Sequence, residues 1–287
     1  MENETILAGL DPEVLDEVTS RRGALLGMGR MSAKLALASA PLAVAAMARQ
    51  AFAQTTLPAN IAAVLNFALI LEELEAEFYT IATGRMAMSG GTVVTSLIPS
   101  QDRPIFDTLR DHEQAHVRFL RQALGSQAVA KPTFDFTAGG AFPTVFTSYA
   151  TFLTLSQAFE DTGVRAYKGQ AGNLFANKDI LTAALTIHSV EARHASEVRR
   201  LRGNFSEQAP QKGWITGNQG GGAPAAVYAG EESSLQAGIS LPQLNGITAA
   251  GVTPAVPGTA ITEAFDEPLT RAQVVAIVDP FIVEPIS

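Results

Sequence analysis

The chain contains no cysteine, a single tryptophan and only four histidines among 287 residues. Lack of cysteine excludes disulfides, thiolate zinc sites, iron–sulfur clusters and cysteine nucleophiles in one step. Any bound metal must then be held by carboxylate oxygen and imidazole nitrogen, donors that suit iron, manganese or zinc. Charge is also scarce, at 17% of residues with a net of −8. No basic face is expected, and with it no electrostatic binding of nucleic acid. No uninterrupted apolar run reaches the roughly 18 residues of a membrane span. What the chain has in quantity is hydrophobic residues, 47% of the total, enough for a sizeable core in one or two domains.

The N-terminal stretch reads as an address. Thr19-Ser20-Arg21-Arg22 precedes Leu25 and Leu26, Leu35 to Ala46 is nearly all Ala, Leu, Val and Pro, and Ala51-Phe52-Ala53 forms a small-x-small cleavage signature. Lys34 and Pro41 interrupt the apolar run, which argues against a stable span, although an amphipathic helix or a signal anchor is the competing reading. The paired arginine ahead of a mildly hydrophobic segment resembles a twin-arginine signal. That resemblance implies export of an already folded chain with its cofactor loaded, cleavage near Ala53, and a periplasmic or extracellular destination. Residues 1–53 are therefore set apart from the folded body.

From residue 54 to about 205 the pattern is helical. Residues 58–83 place Ile61, Leu65, Ala68, Leu69 and Ala76 at helical spacing behind Pro58, and Gly84 begins a break. A second helix is expected over about 102–124, with Pro104 in its first turn and Gly125 at its stop. Pro132, Gly139, Gly140 and Pro143 make 126–143 an irregular link. A third helix is expected over about 144–169 and a fourth over 178–202, closed by Gly203. A helix of about 24 residues is about 36 Å long, and an 18-residue link can span that length. The fold class is therefore all-α: a four-helix bundle with a long crossover between two helical hairpins. Residues 206–287 form an irregular Gly/Pro-rich extension with a short helix over Leu269 to Val278, ended by Pro280. This extension is expected to wrap the bundle or mediate subunit contacts in a homo-oligomer, with a partly disordered extension as the competing reading.

Two of the four histidines follow a glutamate by three residues, in Glu113-x-x-His116 and Glu191-x-x-His194. Three residues along a helix set two side chains on one face, where a carboxylate and an imidazole can share a cation. Helices one and three repeat a different pattern: Glu72 precedes Tyr79 by seven residues, and Glu160 precedes Tyr167 by seven. The order along the chain is thus Glu/Tyr, Glu-x-x-His, Glu/Tyr, Glu-x-x-His, an internal duplication of one helical hairpin.

A Glu from each of two helices with Glu-x-x-His from each of the other two is the ligand set of the ferritin-like di-iron and di-manganese carboxylate proteins. The segments 71–79, 111–116, 158–162 and 191–194 resemble the ferritin-like family that includes desiccation-related proteins, as does 264–269 near the end. The resemblance implies two divalent ions, iron or manganese. Glu72 and Glu160 would each bind one ion terminally, Glu113 and Glu191 would bridge the pair, and His116 and His194 would cap one ion each. Four carboxylates balance two divalent charges, and without metal such a cluster must take up protons.

Neighbouring residues have plainer readings. Glu75 competes with Glu72 for its role, but the tyrosine spacing favours Glu72. Glu75, Tyr79, Tyr167 and His188 are expected to support the ligands rather than bind metal, and either tyrosine could also be redox-active. His112 reads as a surface or capping residue, Glu73 and Glu77 as a solvated face, and Asp111 and Asp161 as surface or supporting groups. The function expected is oxidoreductase chemistry on oxygen, peroxide or Fe(II), ferroxidase or catalase-like, in oxidative or desiccation stress. The competing expectation is a non-enzymatic stress-protection or structural protein whose metals are structural or absent.

Overall fold

The structure, a computed structural model, describes residues 56–203, 212–236, 239–240 and 258–284. The N-terminal signal-like segment lies outside the described residues. Four long helices dominate: α1 (Ala59–Ala82), α2 (Arg103–Leu124), α3 (Tyr149–Gln170) and α4 (Lys178–Gly203). The extension adds a two-residue antiparallel pair, β1 (Leu235–Gln236) with β2 (Ile239–Ser240), and the short helices α5 (Gly258–Thr262) and α6 (Arg271–Val278). No described helix is long and apolar enough to cross a membrane.

Helix ends follow local chemistry. Pro104 sits in the first turn of α2, and Gly125 ends it at a φ of 54°, the left-handed region that glycine enters without steric cost. The third helix starts at Tyr149, later than the spacing predicts. Thr147 and Ser148 both donate their backbone N–H to Thr144 O, closing the chain into turns, and the Ser148 hydroxyl then caps the helix by accepting from Thr151 N. Thr270 and Gln273 form a capping box that starts α6.

The helices pair as antiparallel hairpins. Along α1 and α2, Glu73 meets Arg121, Thr80 meets Gln114, and Thr83 meets Arg103, so partner numbers fall as α1 advances. In the second hairpin Thr154 meets Arg202 and Asp161 meets Arg199. The crossover runs the length of α1. Gln127 bonds Leu57 and Asn66, Lys131 pairs with Glu77, Phe136 packs on Phe78, and Tyr149 reaches Asp102 at the start of α2. Phe78 is fully buried and touches Tyr79, Phe136, Phe146, Phe152 and Phe159, tying α1, the crossover and α3 into one aromatic core.

The extension wraps the bundle. Arg165 of α3 is wholly buried and donates to the carbonyls of Val227, Ala229 and Glu267, while Glu231 pairs with it at 2.7 Å. A buried arginine is tolerated only when its donors are satisfied, and breaking such a pair costs about 3–5 kcal/mol. Tyr228 donates to Asp161, and Ile282 pairs with Phe134 of the crossover. The chain crosses α3 so closely at Gly169 that a Cβ there would lie 1.9 Å from Leu269 O. Only glycine admits that approach.

Candidate metal centre

Each of the four long helices turns at least one glutamate, and α2 and α4 one histidine besides, into the middle of the bundle. Glu72, Glu113, His116, Glu160, Glu191 and His194 are all buried. They form two overlapping groups, Glu72/Glu113/His116/Glu191 and Glu113/Glu160/Glu191/His194, whose donor atoms lie within 4.8 Å of one another in each group. His116 Nδ1 is 3.0 Å from Glu72 Oε2, 3.1 Å from Glu113 Oε2 and 3.1 Å from Glu191 Oε1. His194 Nδ1 is 2.7 Å from Glu113 Oε1, 3.3 Å from Glu160 Oε2 and 4.0 Å from Glu191 Oε2. Glu113 and Glu191 thus each offer one oxygen to one group and the second oxygen to the other.

The donor set fits two cations. Glu113 Oε1, Glu160 Oε2, both Glu191 oxygens and His194 Nδ1 are buried without a hydrogen-bond partner. His194 Nδ1 and Glu113 Oε1 come within 2.7 Å yet are not aligned to bond each other. An unsatisfied buried polar atom costs about 1–3 kcal/mol, and two positive ions at the shared centre would satisfy these five together.

Without ions the cluster holds protons. Burial pushes the Glu72 carboxyl up to about 7, against the pull of His116. Burial likewise raises Glu160, and raises Glu75 and Glu191 well above the usual carboxylate range, with the neighbouring carboxylates adding to the rise of the latter two. Glu113 moves the other way: burial opposes ionisation, but the imidazoles of His194 and His116 outweigh it. Burial alone would lower both of those imidazoles, yet the carboxylates around them win and raise them well above their ordinary value.

Two tyrosines cross between the halves. Tyr79 of α1 donates to Glu160 Oε1 on α3 at 2.5 Å, and Tyr167 of α3 donates to Glu72 Oε1 on α1. Each hydroxyl occupies one carboxylate oxygen and leaves Oε2 turned to its histidine. Their phenols are buried and held well above their ordinary pKa, burial first and the bonded carboxylate second.

His112 is a correction to the sequence reading. It is not a surface or capping residue: its Nδ1 lies 2.9 Å from His194 Nε2, and the two rings stack at 5.2 Å. Burial and the adjacent His194 push it down to about 4, so it stays neutral. A neutral His112 accepts from His194 Nε2–H, which fixes the tautomer that leaves His194 Nδ1 free for a cation. His112→Phe keeps a ring but removes the acceptor. Metal affinity on the His194 side is expected to fall about 10–100-fold in chelator competition, with partial recovery in His112→Gln.

Some of the other neighbours depart from expectation, and exposed Asp111 follows it. His188 lies outside both four-donor groups and is hydrogen-bonded to the Val164 backbone. The charged groups that bear on it are Asp266 and Lys168, and its Nδ1 is buried without a hydrogen-bond partner. Glu73 is not on a solvated face but buried and paired with Arg121 of α2, and half-buried Glu77 pairs with Lys131. Asp161 is buried and held by Arg199 of α4 and the Tyr228 hydroxyl, whereas Asp111 is exposed and pairs with Arg110. Glu73–Arg121 and Asp161–Arg199 are one repeated contact: each acid follows Glu72 or Glu160, and each arginine stands eight residues after Glu113 or Glu191. That shared offset was the signal that could have revealed it.

The profile of the family described as ferritin-like domain matches residues 60–204, from the start of α1 to the end of α4. No curated protein and no solved structure matches the chain.

Proposed function

The chain belongs to the ferritin-like domain family, and we propose that its bundle holds two divalent iron or manganese ions for oxidoreductase chemistry on oxygen, peroxide or Fe(II). The observation that carries this reading is the division of oxygens: Glu113 and Glu191 each face both four-donor groups, so one pair of carboxylates serves two ions. Glu72 with His116 and Glu160 with His194 complete the two ends. Two adjacent ions would supply the electrons that a bound diatomic or peroxide takes up. The protein's own part is to hold donors in place and keep bulk water out. Tyr79 and Tyr167 anchor the outer oxygens of Glu160 and Glu72, and burial of all six donors strengthens every charge interaction inside. Oxygen and nitrogen donors of this kind accept iron and manganese alike.

We extend the proposal to the chain's setting. The arginine pair at 21–22 and the cleavage signature at 51–53 support export with the ions loaded beforehand, and the family resemblance supports a role in oxidative or desiccation stress. The test is turnover of Fe(II) or peroxide by full-length protein loaded with iron or manganese. Activity is expected in loaded protein and not in Glu113→Ala. The completeness of burial of the six donors favours one second reading, in which the ions are structural staples and the protein is not an enzyme. Loaded protein that turns over neither Fe(II) nor peroxide, yet melts higher than metal-free protein, would establish that reading instead.

A further inference from the structure

The duplicated hairpin is not a faithful copy, and its main departure lies inside the centre. Superposing the repeats by their ligands matches Glu72 with Glu160, Tyr79 with Tyr167, and Glu75 with Gly163. Glu75 is buried, with 3% of its surface exposed. The charges acting on it are the carboxylates of Glu191, Glu160, Glu113 and Glu72. A buried acid in such company is costly unless a cation compensates it.

Gly163 explains how it fits. Glycine in the middle of a helix is unfavourable, and here an added Cβ would stand 3.3 Å from Glu191 Oε2 and 3.5 Å from Glu75 Oε1. The missing side chain leaves Glu75 Oε1 and Glu191 Oε2 against the bare backbone of α3. We infer that Glu75 is a fifth carboxylate donor of the dimetal centre, admitted by Gly163, which makes the centre unequal from end to end. The inference rests on the dimetal reading above. Glu75 is outside both four-donor groups, and a glutamate can change its reach by moving between staggered rotamers.

The consequence is one of charge. Four carboxylates neutralise two divalent ions, whereas five neutralise one divalent and one trivalent ion. Glu75 therefore tunes the centre toward holding a trivalent ion.

The test uses the full chain, titrated with Mn(II) and separately with Ga(III), a trivalent ion without redox chemistry. Glu75→Gln is expected to weaken retention of Ga(III) by at least about tenfold, with a smaller loss for Mn(II). Gly163→Ala provides an independent variant, since alanine is the better helix former and its methyl presses on Glu191 Oε2 while filling the space beside Glu75 Oε1 at contact distance; the same selective loss is expected. Thermal melting of the metal-free variants checks that both fold. Wild-type retention of both ions by Glu75→Gln, or by Gly163→Ala should Glu75→Gln not fold, overturns the inference while leaving the dimetal reading intact. A wild-type chain that binds neither ion overturns both.

Discussion

Glu113→Ala is expected to leave the chain unable to retain either ion, whereas Glu72→Ala is expected to leave one. The difference follows from the grouping. Glu113 supplies Oε2 beside His116 and Oε1 beside His194, so its loss opens both four-donor groups at once. Glu72 belongs to one group only, and the group of Glu160 and His194 keeps all its donors without it. Glu160→Ala should mirror Glu72→Ala at the opposite end. The measurement is metal content per chain after desalting, with an expected loss of affinity of at least about 100-fold wherever a group is broken. Equal loss in Glu72→Ala and Glu113→Ala would mean that the carboxylates are not divided between two positions.

The second large effect is a divergence with pH. In the metal-free chain Glu72 is raised from 4.5 to about 7. Its neutral form is the one the fold prefers, so its contribution is fully present below about 4.5 and is lost as pH climbs through about 7. For a shift of that size the contribution is on the order of 3 kcal/mol. Glu75, Glu160 and Glu191 are raised too and act in the same direction. His116 and His194 are also raised, so their contribution is present below about 6.5 and is lost as pH rises through their folded values. Among the six donors Glu113 alone is lowered; what it contributes is present above about 4.5 and is lost only as pH falls below that. Outside them His112, held down to about 4, opposes the trend only up to about 6.5. Between pH 5 and 8 the metal-free chain should therefore melt at progressively lower temperature. Metal binding needs deprotonated ligands and strengthens over the same interval. Thermal melts with and without chelator should separate as pH rises, and parallel curves would contradict the assignment of these groups to a cation site.

Much of this centre was legible because histidine is rare in the chain and glutamate is placed regularly. Glu-x-x-His on α2 and α4 set two pairs of side chains on common helix faces, which the fold brings together, and the Glu-to-Tyr interval of seven aligned Glu72 with Glu160. The interval even held a contact it could not state: each tyrosine bonds the glutamate of the opposite helix, not its own. Spacing within one helix says which residues share a face, not what a neighbouring helix brings to it. His112 was misread for that reason. It sits beside Glu113 and so points away from it along α2, but α4 carries His194 into its path. Glu73 was misread likewise, and the pairing of Asp161 was not foreseen, since their arginines come from the partner helix. The extension was the least legible part. Its Gly/Pro-rich composition gives no period to read, and its attachment depends on Arg165, which lies within α3 and finds its partners 62 to 102 residues further on.

The most direct test of the dimetal centre is anomalous X-ray scattering from crystals of the metal-loaded chain, at the absorption edge of the bound element. Two peaks are expected inside the bundle, about 3.5–4 Å apart. One should be bounded by Glu72 and His116, the other by Glu160 and His194, with Glu113 and Glu191 between them. A single peak, or peaks only at sites away from these six residues, would contradict the account.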